Sequence, residues 1–246
     1  MARIAVFTAL WKRPSLSAYV LERWSLTAGE NVSLFAVGSE GAASRALAEE
    51  YGFTYFEAPN RPLSLKWQHL LNRVREAGPW DYVIRADSDD LFSADFVDAI
   101  IEACPPDSGC GLADIWMYDL AAHSLGYHPG AYHDRDGRHD SRFYRKTLGT
   151  GRCFSAGLLD LLDWTLWAEE IDNGLDRSLD IRMDGFNRRL ELVSMRDLGI
   201  FAVDVKTPDN IWSYDDLNIT AQVSGAAADS VLSAWGLGDL RRRVVP

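Results

Sequence analysis

Positive charge is in short supply. The chain of 246 residues carries 25 Lys and Arg against 36 Asp and Glu, a formal net of -11. Tight nonspecific binding to nucleic acid needs a basic footprint that displaces counterions, so that class of partner is not expected. Cysteine is scarce as well. Cys104, Cys110 and Cys153 are too few, and odd in number, for a disulfide framework. Cys104 and Cys110 flank a PPDSG turn and would be able to pair in an oxidising compartment, but a chain of this size favours reduced thiols in a cytoplasmic setting. No apolar run approaches the length of a bilayer span. The opening MARIAVFTALWKRP makes a poor signal peptide, because its apolar stretch is short and Lys12 and Arg13 follow it. Histidine gives no metal signal: four of the five crowd together as His123, His128, His133 and His139, and none has the helical spacing of a zinc pair.

What is present is a regular alternation in the first half. Residues 3–10 read as a buried strand and 15–29 as a helix with Ser15 as N-cap after Pro14. Strand 31–38 and a helix from about 41 to 51 follow, then strand 53–59. A helix over 64–78 aligns Leu63, Trp67, Leu70, Leu71 and Val74 on one face. Strand 81–86 leads to a helix over 93–104 with Ser93 at its cap. Short apolar strands alternating with helices predict a mostly parallel α/β sheet covered on both faces. Ligands in such sheets bind outside the carboxyl ends of the strands.

The second half is less regular. Residues 111–127 read as one or two strands, 128–146 as a long polar loop, and 154–171 as an amphipathic helix. A further helix is expected from Leu175, a strand over 199–205, and a helical tail. With no repeat or linker, the expectation is a single domain over 1–246, of which 111–246 forms a mixed half that completes the site.

The stretch VIRADSDDLF sets Asp87, Ser88, Asp89 and Asp90 at the end of an apolar strand. Carboxylates this close repel one another, and burying them unpaired is costly. A hard divalent cation relieves both problems: Mg2+ or Mn2+ takes one or two carboxylates and bridges to phosphates. A calcium loop does not fit, since Leu91 falls at its fifth position.

These features resemble the nucleotide-sugar glycosyltransferases of the GT-A fold, most closely the broad family two, with the likeness strongest over residues 1 to about 110. The resemblance implies a Rossmann-like GT-A fold with a nucleotide-sugar-binding half (1–110) and an acceptor-side half (111–246). It implies Mn2+ or Mg2+ at Asp87 and Asp89, Asp87 on the ribose side, and Ser88 within the same cofactor-binding set. A nucleotide-diphosphate sugar, UDP-sugar first, is the implied donor. Thr8 and Arg13 in TALWKRP correspond to a nucleotide-contacting loop, and Ser39 stands where the family often has an acid near the base. Lys66 corresponds to a helix-start lysine of the nucleotide site, and Arg152, in LGTGRCFSAGLL, is a phosphate candidate beside Gly149 and Gly151.

An inverting transfer needs a carboxylate to take the acceptor's proton. Asp172, Asp176 and Asp180 are offered by EEIDNGLDRSLDIRM; Asp176 is the first choice and Asp180, four residues on and on the same helix face, the second. Asp204, Lys206 and Asn210 fit a lid over the diphosphate, with Trp212 and Tyr214 as stacking candidates. The acceptor is expected to be a carbohydrate, a protein or a modified base. Two other readings compete. A nucleotidyltransferase acting on sugar phosphates would need glycine in TALWKRPS, which has none; a non-catalytic metal- and nucleotide-binding module would dispense with Asp176 and Asp180.

Overall fold

The computed structural model describes residues 1–130, 146–210 and 214–245. Strands β1 (Ile4–Ala9), β2 (Val32–Gly38), β3 (Thr54–Glu57) and β4 (Tyr82–Arg85) pair in parallel in the order β3-β2-β1-β4. The connecting helices are α1 (Pro14–Thr27), α2 (Ala42–Glu50) and α3 (Leu63–Ala77). Beyond β4 the sheet continues through β9 (Arg152–Ser155), antiparallel to β4, then β6 (Gly109–Leu112) and β10 (Glu191–Val193). Helix α4 (Phe96–Ala103) precedes β6. The expected α/β architecture is therefore present, with one antiparallel strand inside a seven-stranded sheet.

Alternation along β1 shows why it had to be apolar throughout. Ile4 and Val6 enter one core and Ala5 and Phe7 the other, so both faces are covered. The Ala5 side also holds Trp67, Leu70, Leu71 and Val74 of α3, the predicted face.

A second sheet, in the order β12-β8-β7-β11-β5, stands beside the first. It comprises β5 (Asp90–Phe92), β7 (Ile115–Asp119), β8 (Ser124–His128), β11 (Ala202–Lys206) and β12 (Thr220–Ser224). Strand β5 corrects the expectation of a helix from Ser93. Residues 90–92 pair antiparallel with β11, Ser93 N–H donates to the Phe201 carbonyl, and α4 begins only at Phe96. The capture is a long-range backbone pairing that no local pattern encodes. It makes Asp87–Asp90 the junction at which the chain leaves one sheet and enters the other.

Other boundaries also move. Pro14 is itself the first residue of α1, and Arg13, in left-handed backbone at φ 48°, occupies the cap position instead of Ser15. The helix expected over 154–171 is strand β9 followed by the short α5 (Ala156–Leu161), capped by Ser155 Oγ. Leu158, Leu159, Leu162, Trp164, Leu166 and Trp167 all enter the same core, so apolar spacing there carried no helical information. Residues 111–127 fall on three strands, and the tail holds β12 before α7 (Ala226–Ala234) and α8 (Leu240–Val244). Most of the loop expected over 128–146, with His133 and His139, lies outside the described residues, as does Trp212. Among the described residues no helix is long and apolar enough to cross a membrane.

Candidate active site

Four carboxylates meet at the sheet junction. Asp90 opens β5, is buried, and lies opposite Asp204 in the β5·β11 register. It accepts hydrogen bonds from the Asp87 N–H at 2.9 Å and from Thr150 Oγ1. Burial, followed by Asp87, Asp89 and Asp204, pushes its carboxyl well above the ordinary range. Burial likewise raises Asp87, and Arg85 only partly offsets it. Asp204 is pushed up to about 6 by burial, even though Lys206 Nζ stands 2.6 Å from it.

Three of these four acids pair with a cation, Asp204 with Lys206, Asp89 with Arg13 and Asp87 with Arg85. Arg13 Nη1 stands 2.7 Å from Asp89 Oδ2, and Asn210 Nδ2 donates to the same oxygen at 2.6 Å. Arg13 also donates to Asn210 Oδ1 at 3.2 Å, so the loop after β1, the acidic junction and the segment after β11 form one knot. Arg85 Nη2 reaches both oxygens of Asp87, at 2.9 and 3.2 Å. The Arg85 guanidinium lies 4.5 Å from the Trp67 ring centroid and donates to the Gly149 carbonyl at 3.0 Å.

The second-half acid joins from α6 (Leu175–Gly185). Gly174, at φ +71°, turns the chain into this helix, and Asp176 falls in its first turn, where the helix dipole favours an anion. Arg152 Nη1 lies 2.7 Å from Asp176 Oδ1, and Arg85 Nη1 lies 3.6 Å from the same oxygen. Burial raises the Asp176 carboxyl, but the two arginines outweigh it and it titrates below the usual range. Asp180 stands 3.6 Å from Lys146; burial dominates there and pushes it upward.

The predicted residues divide accordingly. Asp87, Asp89, Asp176, Arg13 and Arg152 lie in this linked set of charges, and Asp204, Lys206 and Asn210 join it. Arg152 is fully buried and spends its other donors on Thr147 Oγ1 and the Thr147 carbonyl, at 2.9 and 3.0 Å. Lys66 is buried, and its Nζ donates to the Leu10 carbonyl at 2.7 Å and to Asn60 Oδ1 at 3.0 Å, with Ser39 Oγ at 3.5 Å. Burial lowers its pKa to about 8. Thr8 is buried at the carboxyl end of β1, with no hydrogen-bond partner for its Oγ1 among the described residues. Ser88 is buried between its acidic neighbours. Asp172 accepts the N–H of Leu63, the first residue of α3, at 2.9 Å. Tyr214 packs in the core of the second sheet, away from a stacking role. Arg85 and Thr150 are site residues that the sequence does not single out, while Asp90 belongs to the acidic cluster it does. The sequence shows only an arginine two residues before the acids; its burial and its significance come from the β4·β9 pairing.

The donor set suits a hard divalent cation. Asp204 Oδ1 is buried with no hydrogen-bond partner among the described residues, while Asp89 and Asp90 crowd the same junction. Among the described residues these acids do not close into a group of three ligands, so a cation there would draw its other ligands from phosphate and water.

No protein-family description and no characterised protein matches this chain in sequence. Solved structures do match its fold. The mannosyltransferase PcManGT of Pyrobaculum calidifontis, in complex with GDP-Man and Mn2+, aligns over 86% of this chain and 59% of its own, at 18% identity and TM-score 0.52. GalNAc-T7 with UDP, GalNAc and Mn2+ aligns over 87% of this chain and 45% of its own, at 10% identity and TM-score 0.57. TarS 1-349 of S. aureus, in complex with UDP-GlcNAc, aligns over 97% of this chain and 66% of its own, at 13% identity and TM-score 0.53. This chain thus has the GT-A fold of the nucleotide-sugar glycosyltransferases. It spans less than two thirds of the length of each of these proteins.

Proposed function

We propose that the protein is a metal-dependent glycosyltransferase that moves a sugar from a nucleotide-diphosphate sugar to an acceptor hydroxyl, with inversion at the anomeric carbon. The observation that carries this reading is the Arg85 guanidinium, which spans from Asp87 of the strand-end acids at 2.9 Å to Asp176 at the start of α6 at 3.6 Å. One guanidinium thereby links the acids read as the diphosphate clamp to the acid read as the proton acceptor, which supports assigning both to one site.

Asp89 would hold the cation with Asp87 or Asp204, and Arg13 would move from Asp89 to the donor phosphates. The cation supplies neutralisation of the charge that builds on the departing diphosphate. Thr8, Ser39, Lys66 and Ser88 line the nucleotide side of this proposed site, Lys66 by fixing the loop that follows β1. Asp176, kept ionised by Arg152 and Arg85, takes the proton of the acceptor hydroxyl as its oxygen bonds to the anomeric carbon and the bond from that carbon to the phosphate oxygen breaks. Asp180 is the reserve candidate for that proton.

A thermal-shift panel of UDP-, GDP-, dTDP- and CMP-sugars with and without Mn2+ tests the reading, because a ligand of the native state raises the melting temperature. UDP-sugars are the first to try, as two of the three aligned structures hold UDP or a UDP-sugar. A Mn2+-dependent rise with one nucleotide supports the proposal. No rise with any of them overturns it while leaving the fold untouched.

A further inference from the structure

All three cysteines of the chain converge on one point. Cys104 is the C-cap residue of α4, Cys110 lies in β6 and Cys153 in β9. Cys110 and Cys153 face each other directly in the antiparallel β6·β9 register. The three sulfurs lie within 4.8 Å of one another, and all three side chains are buried. Three elements far apart in sequence have thus brought together every thiol the protein owns.

The sulfurs rest as thiols that donate to carbonyl oxygens, and an ion would have to displace those protons. Cys104 Sγ looks onto the carbonyls of Pro105, Ser108 and Cys153 at 3.8, 3.9 and 3.8 Å, and Cys110 Sγ onto the Ile100 carbonyl at 3.5 Å. Metal–sulfur bonds of about 2.3 Å place the sulfurs of a shared ion roughly 4 Å apart, so the triad needs only a slight contraction. Thiolates select soft ions over the hard cations that suit the acidic junction. Among the described residues no fourth His, Cys, Asp or Glu joins the set, which calls for an ion content with three sulfurs.

We propose that Cys104, Cys110 and Cys153 form a three-sulfur site for a soft, thiophilic cation, separate from the sugar-transfer site. A divalent ion would displace the three thiol protons and leave a complex of charge minus one. Arsenous acid would condense with the three thiols, releasing three waters, to give a neutral trithiolate with no change of oxidation state. The neutral complex is the better match to an apolar site beside Glu191, a negative neighbour. The turn from Pro105 to Ser108 lies over Cys104 and is held by backbone hydrogen bonds from Ser108 N–H to the Pro105 carbonyl at 3.1 Å and from Ser155 N–H to the Ser108 carbonyl at 3.0 Å. Loading ties β9 to β6 and α4 one residue from Arg152.

The test uses the whole chain, reduced with a phosphine and titrated separately with Cd2+ and with arsenite. The readouts are thiolate-to-metal charge-transfer absorption, protection of thiols from alkylation, and melting temperature. The expected result is one ion per chain, all three thiols protected, and a melting temperature higher by about 5 to 10 °C at a hundredfold excess over the dissociation constant. Arsenite binding alone identifies the neutral trithiolate, and binding of both ions identifies a general soft site. Cys104→Ala, at the helix end rather than inside the sheet, is expected to abolish the one-to-one complex in a protein that still melts cooperatively. Alkylation unaffected by either ion, or binding undiminished in Cys104→Ala, overturns the proposal. If the variant does not fold, the wild-type titrations alone decide.

Discussion

Arg85 and Arg152 stand directly opposite each other across the antiparallel pair β4·β9. Like charges in that position oppose pairing, and both side chains are buried. The pair persists because one carboxylate oxygen, Asp176 Oδ1, faces both guanidinium groups, at 2.7 Å from Arg152 and 3.6 Å from Arg85. Asp176 is therefore part of the fold's charge balance and, on the proposed reading, the proton acceptor.

That double role fixes a pH signature. The arginines hold the Asp176 carboxyl below its usual range, so it stays ionised, and able to accept a proton, down to low pH. Arg152→Gln is expected to raise the Asp176 pKa and move the acid limb of the kcat profile to higher pH. Asp176→Asn should lower kcat by about 10²- to 10⁴-fold with donor affinity little changed. A limb that stays in place in Arg152→Gln would assign the proton to another group, Asp180 first.

The ion pair between Arg13 and Asp89 makes a split prediction. An incoming Mn2+ competes with the guanidinium for Asp89 Oδ2, while an incoming diphosphate needs the guanidinium. Arg13→Gln should tighten Mn2+ binding in the absence of donor and weaken donor binding at saturating Mn2+, both read by calorimetry. Asp89→Ala should remove turnover and the Mn2+-dependent thermal shift together. Weaker Mn2+ binding in Arg13→Gln would count against Asp89 as the metal ligand.

Gly149 supplies a test that leaves every charge in place. A Cβ there would stand 3.3 Å from both Asp176 oxygens and 3.5 Å from Arg85 Nη1. Its backbone is not in the left-handed region, so alanine adopts it without strain. Gly149→Ala should cost at least about tenfold in kcat by displacing Asp176, since small misplacements of reacting groups are expensive, with the melting temperature nearly unchanged. Unaltered kinetics would show that the Asp176 position is not critical.

The β-α alternation, the buried face of α3 and the acidic end of β4 were all legible in the sequence, because each is written in local spacing. Asp176 was legible as an acid after a glycine at a helix start. What was hidden is long-range pairing. Nothing near Asp90 announces that residues 90–92 leave one sheet for another, and nothing near Arg85 announces that β9 will bring Arg152 opposite it. The stretch 154–171 misled for a different reason: apolar residues buried on all sides have no period to read. The burial of Lys66 was not legible, since a lysine at a helix start is ordinarily solvated.

Lys66 gives the last prediction. Its pKa falls from 10.5 to about 8 because burial penalises the ammonium, although three oxygens surround it. Below about pH 8 folded and unfolded chains both hold the proton, and stability carries the full penalty. Between 8 and 10.5 the unfolded chain keeps a proton that the folded chain has lost, so the stability contribution rises with pH across that window. The whole change amounts to about 3 kcal/mol. In Lys66→Met that slope disappears, while tyrosine ionisation, common to both proteins, cancels in the difference. Urea unfolding at about pH 7.5 and about pH 10 should therefore show wild type gaining on Lys66→Met as pH rises. A constant difference would mean that the oxygens of Leu10, Asn60 and Ser39 hold Lys66 fully charged, and that its proton is not available for the loop after β1 to release.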